Sequence, residues 1–171
     1  MTHTVLFLCT GNSARSIMAE AVLRARGAGR FRALSAGSHP RGEVHPLALE
    51  TLAAARVPAA GLRSKSWSEF SGADAPQLDF VITVCGNAAK ETCPVWPGHP
   101  ITAHWEIDDP AAAVGTAEER AQAFRRAYAE LDRRIQVLAS LPVETLDRPT
   151  LEQRLRALGH DPVRPADTLG R

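Results

Sequence analysis

A cysteine near the start of the chain, Cys9, stands where a nucleophilic thiol would be expected. An apolar, β-prone stretch at 5–8 precedes it, and a loop of small residues leads from it to Arg15 and Ser16. Backbone N–H groups of such a loop can turn inward, and the N-terminus of a following helix adds donors and a partial positive charge. The pattern predicts a thiolate in a cradle that binds a tetrahedral oxyanion.

Each polar residue of this loop has a predicted task. Arg15 can place a bidentate guanidinium on two oxygens of the anion. Ser16 can donate its hydroxyl to the Cys9 sulfur, and Asn12 tolerates the left-handed backbone that the turn needs. Such a field lowers a cysteine pKa, so we expect a low pKa for Cys9. The predicted oxyanion-binding set is Thr10, Gly11, Asn12, Ser13, Ala14, Arg15 and Ser16.

Other interpretations of the cysteines stay open. A cysteine at a strand end is often a small buried apolar residue, and the lysine of a nucleotide-binding P-loop is absent here. The other two cysteines, Cys85 and Cys93, could form a zinc site with His99 and His104, but their spacing is wider than in zinc fingers. They could also be inert core residues. The small, polar residues between them favour a loop that rearranges during thiol exchange.

The loop and three later segments resemble a known family. Residues 4–20 resemble the active-site loop of the low-molecular-weight tyrosine phosphatase superfamily. Within it, the chain is similar to the phosphatase-fold arsenate reductases across roughly residues 3–140. The segments that carry this narrower resemblance are Ser35-Ala36-Gly37, the stretch from Asp79 to Cys85 with Cys93-Pro94-Val95-Trp96-Pro97, and the stretch from His104 to Ala111.

The resemblance implies a relay of three thiols. Cys9 would attack arsenate and form a covalent adduct, and Cys85 would then attack the Cys9 sulfur and release arsenite. Cys93 would take over the oxidation as a Cys85–Cys93 disulfide. An external thiol system, either thioredoxin or glutathione with glutaredoxin, would reduce that pair, and no cofactor would be bound. Asp109, held before Pro110, is the best match to the general acid.

Two departures from relatives bear on the ligands. Some relatives bind potassium near the loop through an acidic residue. Lys65 stands in the matching stretch, so we expect its charge to replace the ion. Phosphatases carry aromatic residues after the general acid, whereas Ala111, Ala112 and Ala113 follow here and give an aromatic substrate little to stack on.

Length and composition fit this interpretation. The chain has 171 residues, the size of one domain, and 20 basic residues nearly balance 19 acidic ones. This balance gives no sign of nucleic-acid or membrane partners, and we expect a monomer. The first apolar run is too short for a signal peptide or membrane helix, and three cysteines suit a reducing cytoplasm.

Alternation of apolar runs and amphipathic stretches predicts an α/β fold. We expect a single three-layer domain with a four-stranded, parallel, twisted sheet flanked by helices. The predicted strands lie near 4–9, 31–36, 79–84 and 101–105, and the predicted helices near 17–27, 46–56, 64–71 and 117–140. The three catalytic candidates Cys9, Cys85 and Asp109 all follow a predicted strand, where ligands bind in such folds.

The long helix and the C-terminus complete the prediction. The long helix should pack an apolar face on the sheet and leave its arginines, among them Arg134, in solvent. We assign 1–141 to the reductase domain and 142–171 to an extension. This extension should contain a helix over 149–159 with a capping box of Thr150 and Gln153, followed by a disordered tail. The apolar face of the long helix consists of Ala117, Ala121, Phe124, Tyr128, Leu131, Ile135 and Leu138.

Three functional classes remain. The first is an arsenate reductase, for which phosphate and sulfate would be substrate mimics. The second is a phosphatase of phosphoproteins or small phosphoesters that uses Cys9, Arg15 and Asp109 alone. The third is a non-catalytic oxyanion or redox sensor with the same cradle.

Overall fold

The computed structural model describes residues 2–27, 29–91 and 94–160. Its centre is a four-stranded sheet in the order β2-β1-β3-β4, in which every neighbouring pair is parallel. The strands are β1 (His3–Cys9), β2 (Phe31–Gly37), β3 (Phe80–Thr83) and β4 (Ile101–His104). The predicted fold class is confirmed. The chain passes from β1 to β2 on one side of it and then crosses to β3 on the other side of β1. In parallel sheets a ligand crevice lies beyond the carboxyl ends of the two strands at such a change of direction, which are β1 and β3 here.

Five α-helices and two short 3-10 helices connect or follow the strands in the described residues. The α-helices are α1 (Arg15–Arg26), α2 (Pro46–Ala54), α3 (Gly86–Lys90), α4 (Ala117–Ser140) and α5 (Arg148–Gly159). The 3-10 helices are Trp67–Phe70 and Pro110–Ala112. The predicted helix at 64–71 is thus only a 3-10 turn, capped by the Ser66 hydroxyl. None of these helices combines the length and apolar character needed to cross a membrane.

Alternate residues of β1 belong to two apolar clusters, one on each face of the sheet. Val5 and Phe7 point to the larger cluster, which contains the apolar faces of α1, α4 and α5. Leu6 and Leu8 point to the smaller cluster, where Trp96 and residues around the first 3-10 helix cover the sheet. Burial on both faces explains why β1 is a continuous apolar run rather than an alternating one.

The long helix differs from its prediction at three positions. Its buried residues include Phe124 and Leu131, as expected, but Ala117 is exposed and Ala121 is only partly covered. Arg134, predicted to lie in solvent, is 2% exposed and donates to the Glu106 carbonyl oxygen at 3.1 Å. A charged residue on the packed face is tolerated because its guanidinium finds a carbonyl acceptor there.

A short helix that the sequence did not reveal follows β3. The residues after Cys85 form α3 rather than a loop, and the Cys85 sulfur caps this helix by accepting the Ala88 N–H at 3.4 Å. Five residues are too few to produce a recognisable helical period, so the pattern gave no signal.

The C-terminal helix packs on this chain. Leu151 and Leu155 are buried in the larger cluster, and the Trp105 indole N–H donates to the Leu155 carbonyl at 2.9 Å. The predicted capping box is wrong, because Asp147 caps α5 by accepting the Thr150 N–H at 2.9 Å. A Cβ on Gly159 would lie 2.0 Å from the His104 carbonyl oxygen, so only glycine allows this close approach to β4. The predicted disordered tail lies outside the described residues.

Candidate active site

The anion loop, residues 9–16, joins the end of β1 to the first turn of α1. Asn12 adopts the predicted left-handed conformation, with a φ of 43°. Ala14 is the N-cap of α1 and provides no side-chain hydrogen bond. The first N–H groups of α1 therefore have no side-chain cap and are available to an anion.

Cys9 lies at the base of this loop and is 3% exposed. Its sulfur is 2.8 Å from the Ser16 hydroxyl oxygen, the contact predicted from the sequence. The low pKa expected for Cys9 is wrong, because the pKa of this thiol lies above its ordinary value. Burial raises the pKa of the Cys9 thiol, while the Ser16 hydroxyl, the Ser16 N–H and the Arg15 charge lower it. The thiolate therefore depends on these three groups.

Behind the loop, the Asn12 amide holds three segments together. Its nitrogen donates to the hydroxyls of Ser16 at 2.8 Å and Ser35 at 3.0 Å, and its oxygen accepts the Lys65 N–H at 2.9 Å. Asn12 is completely buried, and neither it nor Ser16 lines the cavity above Cys9. The side chains of Asn12 and Ser16 thus support the loop from behind. Only the main-chain N–H groups of these two residues remain candidates for contact with an anion.

A buried ion pair continues this network. Ser35 donates its hydroxyl to Glu20 at 2.8 Å, and the Lys65 ammonium lies 3.4 Å from the same carboxylate oxygen. Lys65 also donates to the Arg63 carbonyl at 3.0 Å, and burial lowers its pKa. The Lys65 charge thus lies behind the loop against the Glu20 carboxylate, a partner that was not predicted from the sequence.

Arg15 and Asp109 form the opposite wall. Arg15 donates to the Ile107 carbonyl at 3.0 Å, and its guanidinium nitrogen lies 3.7 Å from an Asp109 carboxylate oxygen. The other Asp109 oxygen accepts the Ala111 N–H at 3.0 Å. These bonds hold the predicted general acid beside the predicted anion-binding guanidinium, which is the placement that protonation of a leaving oxygen requires.

Cys85 follows β3, next to Cys9 at the carboxyl edge of the sheet. Leu8 pairs with Thr83, and the Val84 N–H donates to the Leu8 carbonyl at 2.8 Å, so the two cysteines end neighbouring strands. Both thiols are buried and free, and the Thr10 hydroxyl lies 3.7 Å from the Cys85 sulfur. The predicted third thiol, Cys93, lies outside the described residues.

A cavity of about 280 Å³ opens above Cys9. The loop residues Thr10, Gly11, Ser13, Ala14 and Arg15 line it, together with Asp109 and Ala111. Three further lining residues, His39, Arg41 and Asn87, were absent from the predicted site. They come from segments after β2 and β3, and the sequence offered no signal except that both segments follow strands of the sheet. In the part of the chain that the structure describes, no cluster of metal-ligating side chains is present.

The comparisons with known proteins agree with this geometry. A profile of the low molecular weight phosphotyrosine protein phosphatase family matches residues 4–152. The chain belongs to this family. An arsenate reductase from Bacillus licheniformis is 38% identical over 137 residues, which are 80% of this chain and 94% of that relative. The family and the similarity to its arsenate reductases, predicted from residues 4–20 and the later segments, are confirmed.

Two solved structures extend the comparison within the family. An arsenate reductase in its phosphate binding state is 27% identical, with a TM-score of 0.67, and the match covers 81% of this chain and 98% of that one. A thioredoxin-dependent arsenate reductase from Corynebacterium glutamicum is also 27% identical, with a TM-score of 0.53 and coverage of 80% and 63%.

Proposed function

We propose that this protein reduces arsenate to arsenite and takes its electrons from its own cysteines. The observation that carries the proposal is the position of Cys9 and Cys85, two free thiols at the ends of adjacent strands, with one of them inside an anion cavity. A phosphatase needs only the first of these thiols. The curated relatives named as arsenate reductases support the same conclusion.

The first step forms the bond between sulfur and arsenic. The Cys9 thiolate attacks arsenate in the cradle, and one arsenate oxygen leaves. This oxygen belongs to the hydroxyl group of hydrogen arsenate, so one proton from Asp109 lets it depart as water. Arg15 and the loop N–H groups balance the negative charge on the remaining oxygens. The Ser16 hydroxyl, 2.8 Å from the sulfur, stabilises the thiolate form in which Cys9 attacks.

The second step is the reduction itself. The Cys85 thiolate attacks the Cys9 sulfur, a disulfide forms, and the electron pair of the sulfur–arsenic bond stays with arsenic. Arsenic thereby passes from the +5 to the +3 state and leaves as arsenite. Cys93 then attacks Cys85, which returns Cys9 to the thiolate and leaves a Cys85–Cys93 disulfide for an external dithiol to reduce. The name of the Corynebacterium neighbour favours thioredoxin over glutaredoxin as this reductant.

The test is arsenate-dependent oxidation of NADPH, with the thioredoxin and glutaredoxin systems assayed in parallel. We expect turnover by the wild type with one of the two systems. Cys93→Ser should release one arsenite per protein and stop, and Cys85→Ser should release none. Cleavage of p-nitrophenyl phosphate by both variants serves as the folding control. Full arsenate turnover by Cys93→Ser would contradict the three-thiol relay.

A phosphatase is the second candidate, because Cys9, Arg15 and Asp109 form a complete set for phosphoester cleavage. Alanines at 111–113, of which Ala112 is exposed and the other two are half-buried, follow Asp109-Pro110 in place of aromatic residues, which leaves an aromatic ester without a stacking partner at that position. A phosphatase would cleave esters with the same rate after loss of Cys93 and would produce no arsenite. A sensor would bind one arsenate and release nothing.

A further inference from the structure

The segment that follows β2 lies directly on the anion loop. The His39 N–H donates to the Thr10 carbonyl and the Arg41 N–H donates to the Gly11 carbonyl, each at 2.9 Å. The Arg41 side chain then crosses over Gly11, because a Cβ at Gly11 would lie only 3.2 Å from Arg41 Nε. Arg41 therefore lines the same cavity as Cys9.

The two guanidinium groups of this cavity differ in their partners. Arg15 is held by the Ile107 carbonyl at 3.0 Å and faces Asp109 at 3.7 Å, so a carboxylate already balances part of its charge. Arg41 forms no ion pair with any carboxylate in the described residues. Its main chain is fixed to the loop, while its charged end remains exposed on the cavity wall. A guanidinium without a counter-ion at an anion cavity is itself an anion contact.

We propose that Arg41 is a second anion-binding side chain of this site and sets its preference for small, doubly charged tetrahedral oxyanions. The identity of the natural anion, arsenate, rests on the proposed function. Arg15 and Arg41 together supply two positive charges against the negative charges of Asp109 and of the Cys9 thiolate, so without Arg41 the cavity would carry a net negative charge. A dianion that reaches the loop from the Arg41 side gains an interaction that a cavity with Arg15 alone would not provide.

The experiment measures anion binding without turnover. Phosphate and sulfate should protect Cys9 from alkylation by iodoacetamide, and the concentration dependence of this protection at low ionic strength gives each Kd. Arg41→Gln should weaken the binding of both anions about tenfold. Arg41→Lys should recover part of that loss, because lysine keeps the positive charge but cannot form the two parallel hydrogen bonds of a guanidinium. Arg32→Gln is the matched control, since Arg32 is exposed in the first half of β2, away from the carboxyl edge of the sheet.

A kinetic measurement separates binding from support of the loop. Arg41→Gln should raise the KM for arsenate by a similar factor, with kcat within about twofold, because a contact made equally in the bound and transition states affects KM alone. Phosphate and sulfate Kd values that stay within twofold of the wild type would overturn the proposal. Equal weakening by Gln and Lys, together with a lower melting temperature, would assign Arg41 a structural role and overturn it as well.

The binding assay keeps this proposal distinct from the proposed function. If the wild type fails to reduce arsenate but Arg41→Gln still weakens phosphate binding, arsenate reduction is wrong and the anion contact stands. If the wild type reduces arsenate and Arg41→Gln binds both anions like the wild type, the proposed function stands and the anion contact of Arg41 is wrong.

Discussion

The anion loop and the segment that carries Cys85 meet at one edge of the sheet but are held in different ways. Asn12 and Ser16 lie completely buried behind the loop, and main-chain hydrogen bonds from the segment after β2 clamp it from the other side. The Cys85 segment, described through Glu91, is a five-residue helix capped by its own sulfur. In the described residues, a hydrogen bond from the Thr10 hydroxyl to Glu91 joins it to the loop.

This difference matches the different tasks that the proposed relay gives to the two sulfurs. A thiolate that holds an anion must keep a fixed position, because preorganised donors lose their value when they shift. A sulfur that attacks Cys9 and is then attacked in turn must leave its resting position. A short helix with few buried polar contacts opens at a lower cost than a loop anchored by a buried network. The following four predictions test the two halves of this comparison.

The largest effect is expected in the anion loop itself. The Arg15 guanidinium lines the cavity, and its charge lowers the Cys9 pKa. Arg15→Gln removes this group. We expect arsenate turnover and p-nitrophenyl phosphate cleavage both to fall by about a thousandfold, because the charge on the anion loses its main counter-ion. Steady-state assays of the two reactions measure this. A variant that loses only one of the two activities would contradict a shared cradle.

Two lysines allow a matched test of stability. Lys65 is 8% exposed beside Glu20 behind the loop, whereas Lys90 is exposed at the end of α3. Lys65→Met should lower the free energy of unfolding by about 2 kcal/mol, because Glu20 loses a buried partner but keeps Arg24 and Ser35. Lys90→Met should change it by less than about 0.5 kcal/mol.

Urea titrations of both lysine variants give the two values. Equal losses of stability would show that the loop and the Cys85 segment are anchored alike.

The thiolate of Cys9 provides a pH-dependent test. Ser16 lowers the Cys9 pKa against the effect of burial, so Ser16→Ala should raise this pKa further. The thiolate exists above the pKa, hence the alkylation profile of Cys9 should move to higher pH. Activity at neutral pH should fall about tenfold for a shift of one pH unit. A profile that moves to lower pH, or does not move, would remove Ser16 from its assigned role.

The smallest effect should appear at the contact between the two regions. Thr10→Val removes the hydroxyl that lies against Cys85 and donates to Glu91, while the loop N–H is kept. Formation of the Cys9–Cys85 disulfide in a single turnover should become about threefold faster, because Cys85 must leave its resting position and the segment no longer has to break a hydrogen bond worth about 1 kcal/mol or less. Phosphate ester cleavage should stay unchanged. Loss of both activities to the same extent would contradict the separation of the regions.

The sequence was sufficient where a residue's role depends on its neighbours along the chain. Buried parallel strands are continuous apolar runs, so all four strands were found within one or two residues. The contacts of Ser16 and the φ of Asn12 also follow from local geometry, because both lie within the same turn.

The sequence was insufficient where the position of a side chain depends on packing between distant segments. The burial of Arg134 depends on the Glu106 carbonyl, and the entry of Arg41 into the cavity depends on the segment after β2 lying on Gly11. The Cys9 pKa was mispredicted for the same reason. The loop pattern shows the donors around the sulfur but not how completely the fold excludes water from it.

The most direct test of the account is the fate of Cys9 after one arsenate. Cys93→Ser, fully reduced and mixed with one equivalent of arsenate, should be quenched with acid and mapped by peptide mass spectrometry. We predict a disulfide between Cys9 and Cys85 together with one equivalent of arsenite. Arsenite release with both thiols still free, or a disulfide that excludes Cys85, would contradict the transfer of oxidation from the first sulfur to the second.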